Sequence, residues 1–429
     1  MTCSVVGFVL AAAVALNADP VVLMRSQPPN KKINQAVDLL IKGHLKEADA
    51  LFGQVTESDP AYLEATLGRA QIAITNQQLD QADRMVTSVL KRQDKLPEAH
   101  NMKGLVLLLR KDPKGASLEF ARAVELRPQY VTPRLYLAVL ARLSGDYTGA
   151  AAQYKALTAV APRLPAGYLG QAESLMLLGH QDDALKVLET WKTADPGSLE
   201  AYQVIANVDL ANRKPQEAIR QLQAALVKSP HDSATLTILG TAYADAGDTK
   251  SAAAQYEAAL AANHANTDAA LRLGELEAGT GQSDKALAHF RLVLESDPNN
   301  AVACNNIAWL LAVQGRDLNE ALHFAELAVK RDPKYADAHD TLGWVRYRRG
   351  EYPLAVTALQ DAKALAPSNN EIAAHLGLAY AKVGRKQAAL AELKRALASG
   401  NNVSNRAELE RVVTELSANP PGVSPTKSQ

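Results

Sequence analysis

"LGTAYADAGDTKSAAAQYEAAL", Leu239 to Leu260, reads as two short helices joined at one turn. Gly247 closes the first helix, because glycine takes a left-handed backbone at little steric cost. Ala252 lies five residues further on, in the second helix, where a small side chain lets two helix axes approach closely. Pro230 stands upstream of the stretch, at the end of an earlier helical run, where its missing N–H stops a helix. Moving outward, the same order of residues returns at a fixed period.

Asp59-Pro60, Arg127-Pro128, Ala161-Pro162, Asp195-Pro196, Ser229-Pro230, Asp297-Pro298, Asp332-Pro333 and Ala366-Pro367 fall on a 34-residue lattice. Asp94 and His264 occupy its remaining nodes, and one extra residue sits in the "GRDLNEA" turn around Leu318. Twelve residues before each node stands an alanine: Ala48, Ala82, Ala116, Ala150, Ala184, Ala218, Ala252, Ala286, Ala321 and Ala355, with Ala389 continuing the series. A turn glycine precedes the alanine in eight of the eleven units, at Gly43, Gly145, Gly179, Gly247, Gly281, Gly315, Gly350 and Gly384. One unit is therefore helix, turn, helix, turn. A larger residue at the alanine would overpack the pair by about 1–3 kcal/mol, so the alanine is a packing residue.

Composition agrees with an all-α chain. Of 429 residues 47% are hydrophobic but only 5% aromatic, and alternating β-branched runs with hairpin turns are scarce. Forty-six basic residues balance forty-six acidic ones, so the electrostatic footprint of a nucleic-acid binder is missing. Cys3 and Cys304 make no disulfide framework and no thiolate zinc site. Val5 to Leu16 is an apolar run too short for an ordinary membrane span. It fits the core of an export signal over residues 1–18, with Ala13-Val14-Ala15 as cleavage site, although no Lys or Arg precedes it. A periplasmic or secreted chain is the expectation; a cytoplasmic helix or a different start codon is the alternative. Residues 19–28 form a leader, 29–403 the repeats, 404–417 a capping helix and 418–429 a disordered, Pro- and Ser-rich tail. The units start at 29, 63, 97, 131, 165, 199, 233, 267, 301, 336 and 370. In the cap, Asn405 and Glu408 have capping-box spacing, and Leu409, Val412, Val413 and Leu416 form one apolar stripe.

Such a unit resembles the tetratricopeptide repeat, with Leu239, Gly240, Tyr243, Ala252 and Tyr256 in the family's places. The family's early Trp is replaced by Tyr168, Tyr202, Leu236, Cys304 or His339, so these are degenerate members. The resemblance implies a right-handed α-α superhelix of eleven hairpins plus the cap, stable only by stacking. It also implies a concave surface lined by the second, fifth, sixth, ninth, twelfth and thirteenth residues of each unit. Those places hold Asn305, Asn306 and Trp309, then Asp337, Asp340, Thr341, Trp344, Tyr347 and Arg348, then Glu371, His375, Leu378 and Lys382. Trp309 and Trp344 share one place in consecutive units and are expected along one wall, with Tyr347 and Arg348 a turn on. The alternative is that these large residues pack on neighbouring first helices. Asn305, Asn306, Trp309, Asp340, Trp344, Tyr347, Arg348 and His375 are the candidate partner-binding residues. Trp191, on a second helix, reads as core; Arg346 and Arg349 read as solvated.

Chemistry motifs are missing from the sequence. It has no Gly-rich phosphate loop, no His-Glu-x-x-His and no Gly-x-Ser-x-Gly. A metal pair drawn from His339 and His375 is weaker than two ordinary partly buried histidines, and Cys304 takes a packing place. The expectation is a non-enzymatic scaffold without cofactor or metal, binding protein or peptide segments. Polysaccharide is the alternative ligand, since aromatic rungs also stack on sugars. The carboxylate clamp that holds Hsp70 and Hsp90 tails needs cations where this chain has Gln203, Asn207 and Ile238, or Leu271, Glu275, Asn306 and Asp337. The stretch from Asn305 to Ala362 is similar to hairpins of bacterial envelope repeat proteins linked to exopolysaccharide export and exosortase-type sorting.

Overall fold

The computed structural model of the chain describes residues 31–398, 403 and 405–418. The expected export signal, the leader and the tail beyond Ala418 lie outside the described residues. The described residues form twenty-three helices and no strand, so the chain is all-α. It divides into two compact units, Met1–Val208 and Asp209–Gln429.

In the first unit the helices are α1 (Lys31–Ile41), α2 (Leu45–Phe52), α3 (Tyr62–Thr75), α4 (Leu79–Arg92), α5 (Pro97–Leu109) and α6 (Pro113–Leu126). They continue as α7 (Val131–Leu143), α8 (Tyr147–Val160), α9 (Pro165–Leu177), α10 (Gln181–Ala194) and α11 (Leu199–Ala211), within which the division falls. The second unit holds α12 (Pro215–Lys228), α13 (Ser233–Asp245), α14 (Thr249–Ala262), α15 (Thr267–Gly279), α16 (Ser283–Ser296) and α17 (Ala301–Gln314). It ends with α18 (Leu318–Arg331), α19 (Ala336–Arg348), α20 (Tyr352–Leu365), α21 (Asn370–Lys382), α22 (Lys386–Ala398) and α23 (Arg406–Ala418). Odd-numbered helices up to α21 are the first members of hairpins, even-numbered ones the second.

Each hairpin turns on a left-handed residue, and the turn with the inserted residue adds a second positive φ at Asp317 (25°). All eight lattice glycines have positive φ, from 66° at Gly315 to 83° at Gly145. In the three units without that glycine the conformation persists at Gln77 (60°), Lys111 (64°) and Arg213 (58°). The chain must reverse within two or three residues, and only this backbone closes the first helix and opens the second. Several second helices are then started by aspartate: Asp112, Asp146 and Asp248 accept the amides of Gly115, Gly149 and Ser251 at 2.9, 2.8 and 3.0 Å.

The lattice alanines lie at the centre of the hairpin packing. All eleven, from Ala48 to Ala389, have no exposed surface. Four residues beyond the alanine a ring or branched chain fills the space between helices in every unit except that of Ala321, where Ala325 stands, and in several units a first-helix glycine makes room for it. A Cβ at Gly240 would lie 2.5 Å from Tyr256, and one at Gly274 would lie 2.7 Å from Phe290. Among the described residues of the first unit the core includes the clusters Ile33 to Val106, Leu108 to Leu157 and Tyr168 to Ile205. In the second unit, beside smaller clusters around Leu359 and Cys304, the largest cluster runs from Leu236 to Leu409.

The end of that cluster is covered by α23, which buries Leu409 and packs Val412, Val413 and Leu416 against it. Its start differs from a capping box. Asn405 is left-handed (φ 54°), and its main-chain carbonyl accepts the Glu408 amide at 2.9 Å. An N-cap side chain needs the extended backbone that this residue lacks.

Candidate functional site

The candidate residues stand on three first helices of the second unit: α17, α19 and α21. Ala336 to Arg348 forms α19, whose buried face includes Asp340, Thr341 and Trp344. The Trp344 indole is 8% exposed, so it belongs to the core more than to the surface. It stacks on Tyr347 with centroids 5.0 Å apart and an interplanar angle of 9°, as two residues three apart on a helix can.

The two indoles meet through a third ring. His375 of α21 lies 4.4 Å from Trp344 and 5.9 Å from the half-buried Trp309 of α17, centroid to centroid. Its Nδ1 lies 2.9 and 3.0 Å from the two carboxylate oxygens of Asp340. Both members are buried, at 7% and 9% exposure. Burial, the largest influence, pulls the imidazole down. The Asp340 charge and hydrogen bond, with the Glu371 charge, outweigh it, so His375 titrates above its ordinary value. A protonated imidazole among indole faces also gains cation–π attraction.

Two buried polar atoms in this neighbourhood have no partner. Asn305 Oδ1 accepts no hydrogen bond, while the amide nitrogen of the same side chain makes one long contact, 3.4 Å, to Asn306 Oδ1. Trp344 Nε1 has no acceptor. Asn305 occupies in α17 the place that Asp340 occupies in α19, so acceptor and donor belong to adjacent first helices. An unmade buried hydrogen bond costs about 1–3 kcal/mol, so each atom is a place where a ligand would gain.

Arg348 stands at the far end of α19. It is exposed, and its Nη2 would lie 3.3 Å from a Cβ at Gly315, beside the carboxyl end of α17, where helix dipoles favour a cation. Tyr347 is half-buried, edge-on to Tyr352 at 5.5 Å. The structure thus brings Trp309, Asp340, Trp344, Tyr347 and His375 into one cluster, keeps Asn305 and Asn306 side by side, and sends Arg348 elsewhere. His339 is separate from His375: its Nε2 lies 3.1 Å from the Pro333 carbonyl. Among the described residues no three His, Cys, Asp or Glu side chains converge as metal ligands. Cys304 and Trp191 are buried, and burial pushes the Cys304 thiol up, away from the reactive thiolate. No described helix is long and apolar enough to cross a membrane.

Paired helices of near-constant length, repeated every 34 or 35 residues and sharing one buried alanine, define an α-helical repeat protein. Tetratricopeptide repeat models match residues 39–106, 136–198, 204–248, 238–301, 308–370 and 341–404. The chain belongs to the tetratricopeptide repeat family, whose fold is a protein-interaction scaffold. No curated protein matches it. Among solved structures it is similar to the APC/C hetero-tetramer Cut9-Hcn1 (14% identity, 90% of this chain and 83% of that one, TM-score 0.48). It is also similar to PilF of Pseudomonas aeruginosa (14% identity, 51% and 98%, TM-score 0.45). A third is YrrB, described as a TPR protein with an unusual peptide-binding site (23% identity, 43% and 94%, TM-score 0.37). These likenesses concern the fold alone.

Proposed function

We propose that the protein is a non-enzymatic scaffold that holds an extended segment of a partner protein against α17, α19 and α21, serving assembly or export at a bacterial envelope. The observation that carries the contact is the pair of orphaned buried atoms, Asn305 Oδ1 and Trp344 Nε1. One accepts and the other donates, which is what a peptide unit offers in reverse. Trp309, half-buried in the same row, supplies apolar contact area, and Asn306 a second amide. The envelope setting is supported by the apolar run at Val5 to Leu16 and by the resemblance of the Asn305 to Ala362 hairpins.

The test is affinity capture from a gently crosslinked envelope fraction, comparing wild type with Trp309→Ala. Trp344→Ala is the wrong probe, because truncating so buried a ring costs about 3–5 kcal/mol of folding energy. Circular dichroism first establishes that both proteins are equally folded. A protein held by wild type and lost by the variant supports the scaffold reading. Retention of polysaccharide in place of protein, or capture that the variant leaves unchanged, overturns it.

A further inference from the structure

Neighbouring hairpins of the second unit meet where the twenty-fifth residue of one comes against the eleventh of the next, counting one further in the hairpin with the inserted residue. Three of these junctions are closed by a side-chain bond. Gln223 Nε2 donates to the Tyr243 hydroxyl at 3.1 Å, and Gln360 Nε2 to that of Tyr380 at 2.9 Å. At the third, Arg346 Nη2 donates to Glu326 Oε1 at 3.4 Å. Each time a flat group on a first helix reaches the second helix of the hairpin before it.

The junction between α14 and α15 lacks such a group. Its two places hold Glu257 and Glu277, and both line one cavity of about 440 Å³. A carboxylate is too short to fill the space that a phenol ring takes at Tyr243. In the first unit the same two places hold Lys155 and Leu175, which cannot bond each other, and they too line an open cavity, of about 500 Å³. Glu277 is 5% exposed, and its Oε2 is held by His289 Nδ1 of α16 at 2.7 Å. Its Oε1 forms no hydrogen bond among the described residues, yet it is not one of the fully enclosed polar atoms, so it opens on the space that its residue lines. Glu257, exposed on α14, has no hydrogen bond or ion pair among the described residues. Two lysines share the cavity. Lys250 stands two turns before Glu257 on α14, about 10 Å along the axis. Lys285 stands one turn before His289 on α16 and donates to Gln282 Oε1 at 2.9 Å. The cavity is thus negative at the glutamates and positive toward the helix starts, with Ala253, Ala254 and Leu276 as apolar wall.

We propose that this cavity receives an arginine side chain of a partner protein, whose guanidinium stands between Glu257 and Glu277 as that of Arg346 stands beside Glu326. A guanidinium is flat, as the phenols of Tyr243 and Tyr380 are, and its fan of N–H donors meets two carboxylates at once. Its methylene stem lies along Ala253, Ala254 and Leu276. The lysines toward the helix starts favour a partner in which an acidic residue neighbours the arginine. The site belongs to the α14–α15 junction and does not depend on the row formed by α17, α19 and α21.

The probe is N-acetyl-arginine amide, titrated into the full chain carrying isotope-labelled Ala and Leu methyl groups and followed by NMR. N-acetyl-citrulline amide, of the same shape without the charge, is the control. Saturable shifts at the methyls of Ala253, Ala254 and Leu276 are expected, with citrulline binding about tenfold more weakly or worse. Glu257→Gln/Glu277→Tyr rebuilds here the closed junction of Gln223 and Tyr243, so it should stay folded by circular dichroism and lose the shifts. Glu257→Gln alone changes an exposed side chain; it should weaken arginine by about fivefold and leave citrulline as in wild type, and it decides the matter if the double variant does not fold. No shift at the three methyls overturns the subsite. So does citrulline binding as well as arginine, or arginine binding undiminished by Glu257→Gln.

Discussion

His375 and Asp340 join two hairpins through a buried charge pair, and the groups facing the imidazole are Asp340 and Trp344 of α19, Trp309 of α17 and Glu371 of its own helix. Because the folded pKa lies above the ordinary 6.5, the pair's contribution to stability is complete below that pH. It is lost as the pH rises through the folded pKa. Asp340→Asn removes the countercharge and leaves burial opposed only by Glu371, so His375 should then titrate below its ordinary value. The variant should also cost about 3 kcal/mol, the usual penalty for breaking a buried pair. The imidazole Cε1–H resonance followed against pH, with a urea titration at neutral pH, checks both; an unmoved titration would sink the assignment. Part of this cluster is legible in sequence, since the lattice sets Trp309 and Trp344 at one place of consecutive units with Tyr347 a turn on, and the resemblance to the repeat family implies that those places line a groove. The depth of Trp344 is not. It depends on an imidazole arriving from a helix 31 residues further along, and repeat arithmetic gives each residue its row without saying what covers it.

At the scale of the helical hairpin, the lattice makes the turn readable where glycine marks it and hides it where glycine is missing. Gln77, Lys111 and Arg213 hold the left-handed conformation anyway, because stacking demands the same reversal in every unit. A side chain there costs about 1–2 kcal/mol of backbone strain. Lys111→Gly should therefore raise stability by about 0.5–1 kcal/mol despite the greater freedom of the unfolded chain. The reverse holds inside α15. Glycine-to-alanine exchange in a helix normally gains about 0.8–1 kcal/mol. At Gly274 the new Cβ would press to 2.7 Å against Phe290, which is itself 1% exposed and has nowhere to move. Gly274→Ala is expected to destabilise by about 1–3 kcal/mol. Urea midpoints of the two variants, measured at one pH, test the pair; a stabilised Gly274→Ala would show that the ring can yield.

Over the whole chain, a repeat array is held by nearest neighbours, so its stability varies from place to place. The largest continuous core, from Leu236 to Leu409, lies in the second unit. A small cluster among the described residues of the first unit rests on Tyr168, Ala172, Ala184, Leu188, Trp191, Ala201 and Ile205. Trp191 has no exposed surface and stacks on Tyr168 at 6.0 Å with an angle of 9°, so one ring supplies much of that core. Amides of α9 to α11 should therefore open more readily than those of α15 to α20, exchanging about tenfold faster or more. Trp191→Ala removes about 3–5 kcal/mol, more than so small a cluster can lose and stay closed. Hydrogen exchange read by mass spectrometry should then show α9 to α11 unprotected while peptides from residues 236–409 keep their protection. If protection falls evenly along the chain, the array unfolds as one cooperative body and the separate clusters are not separate units of stability.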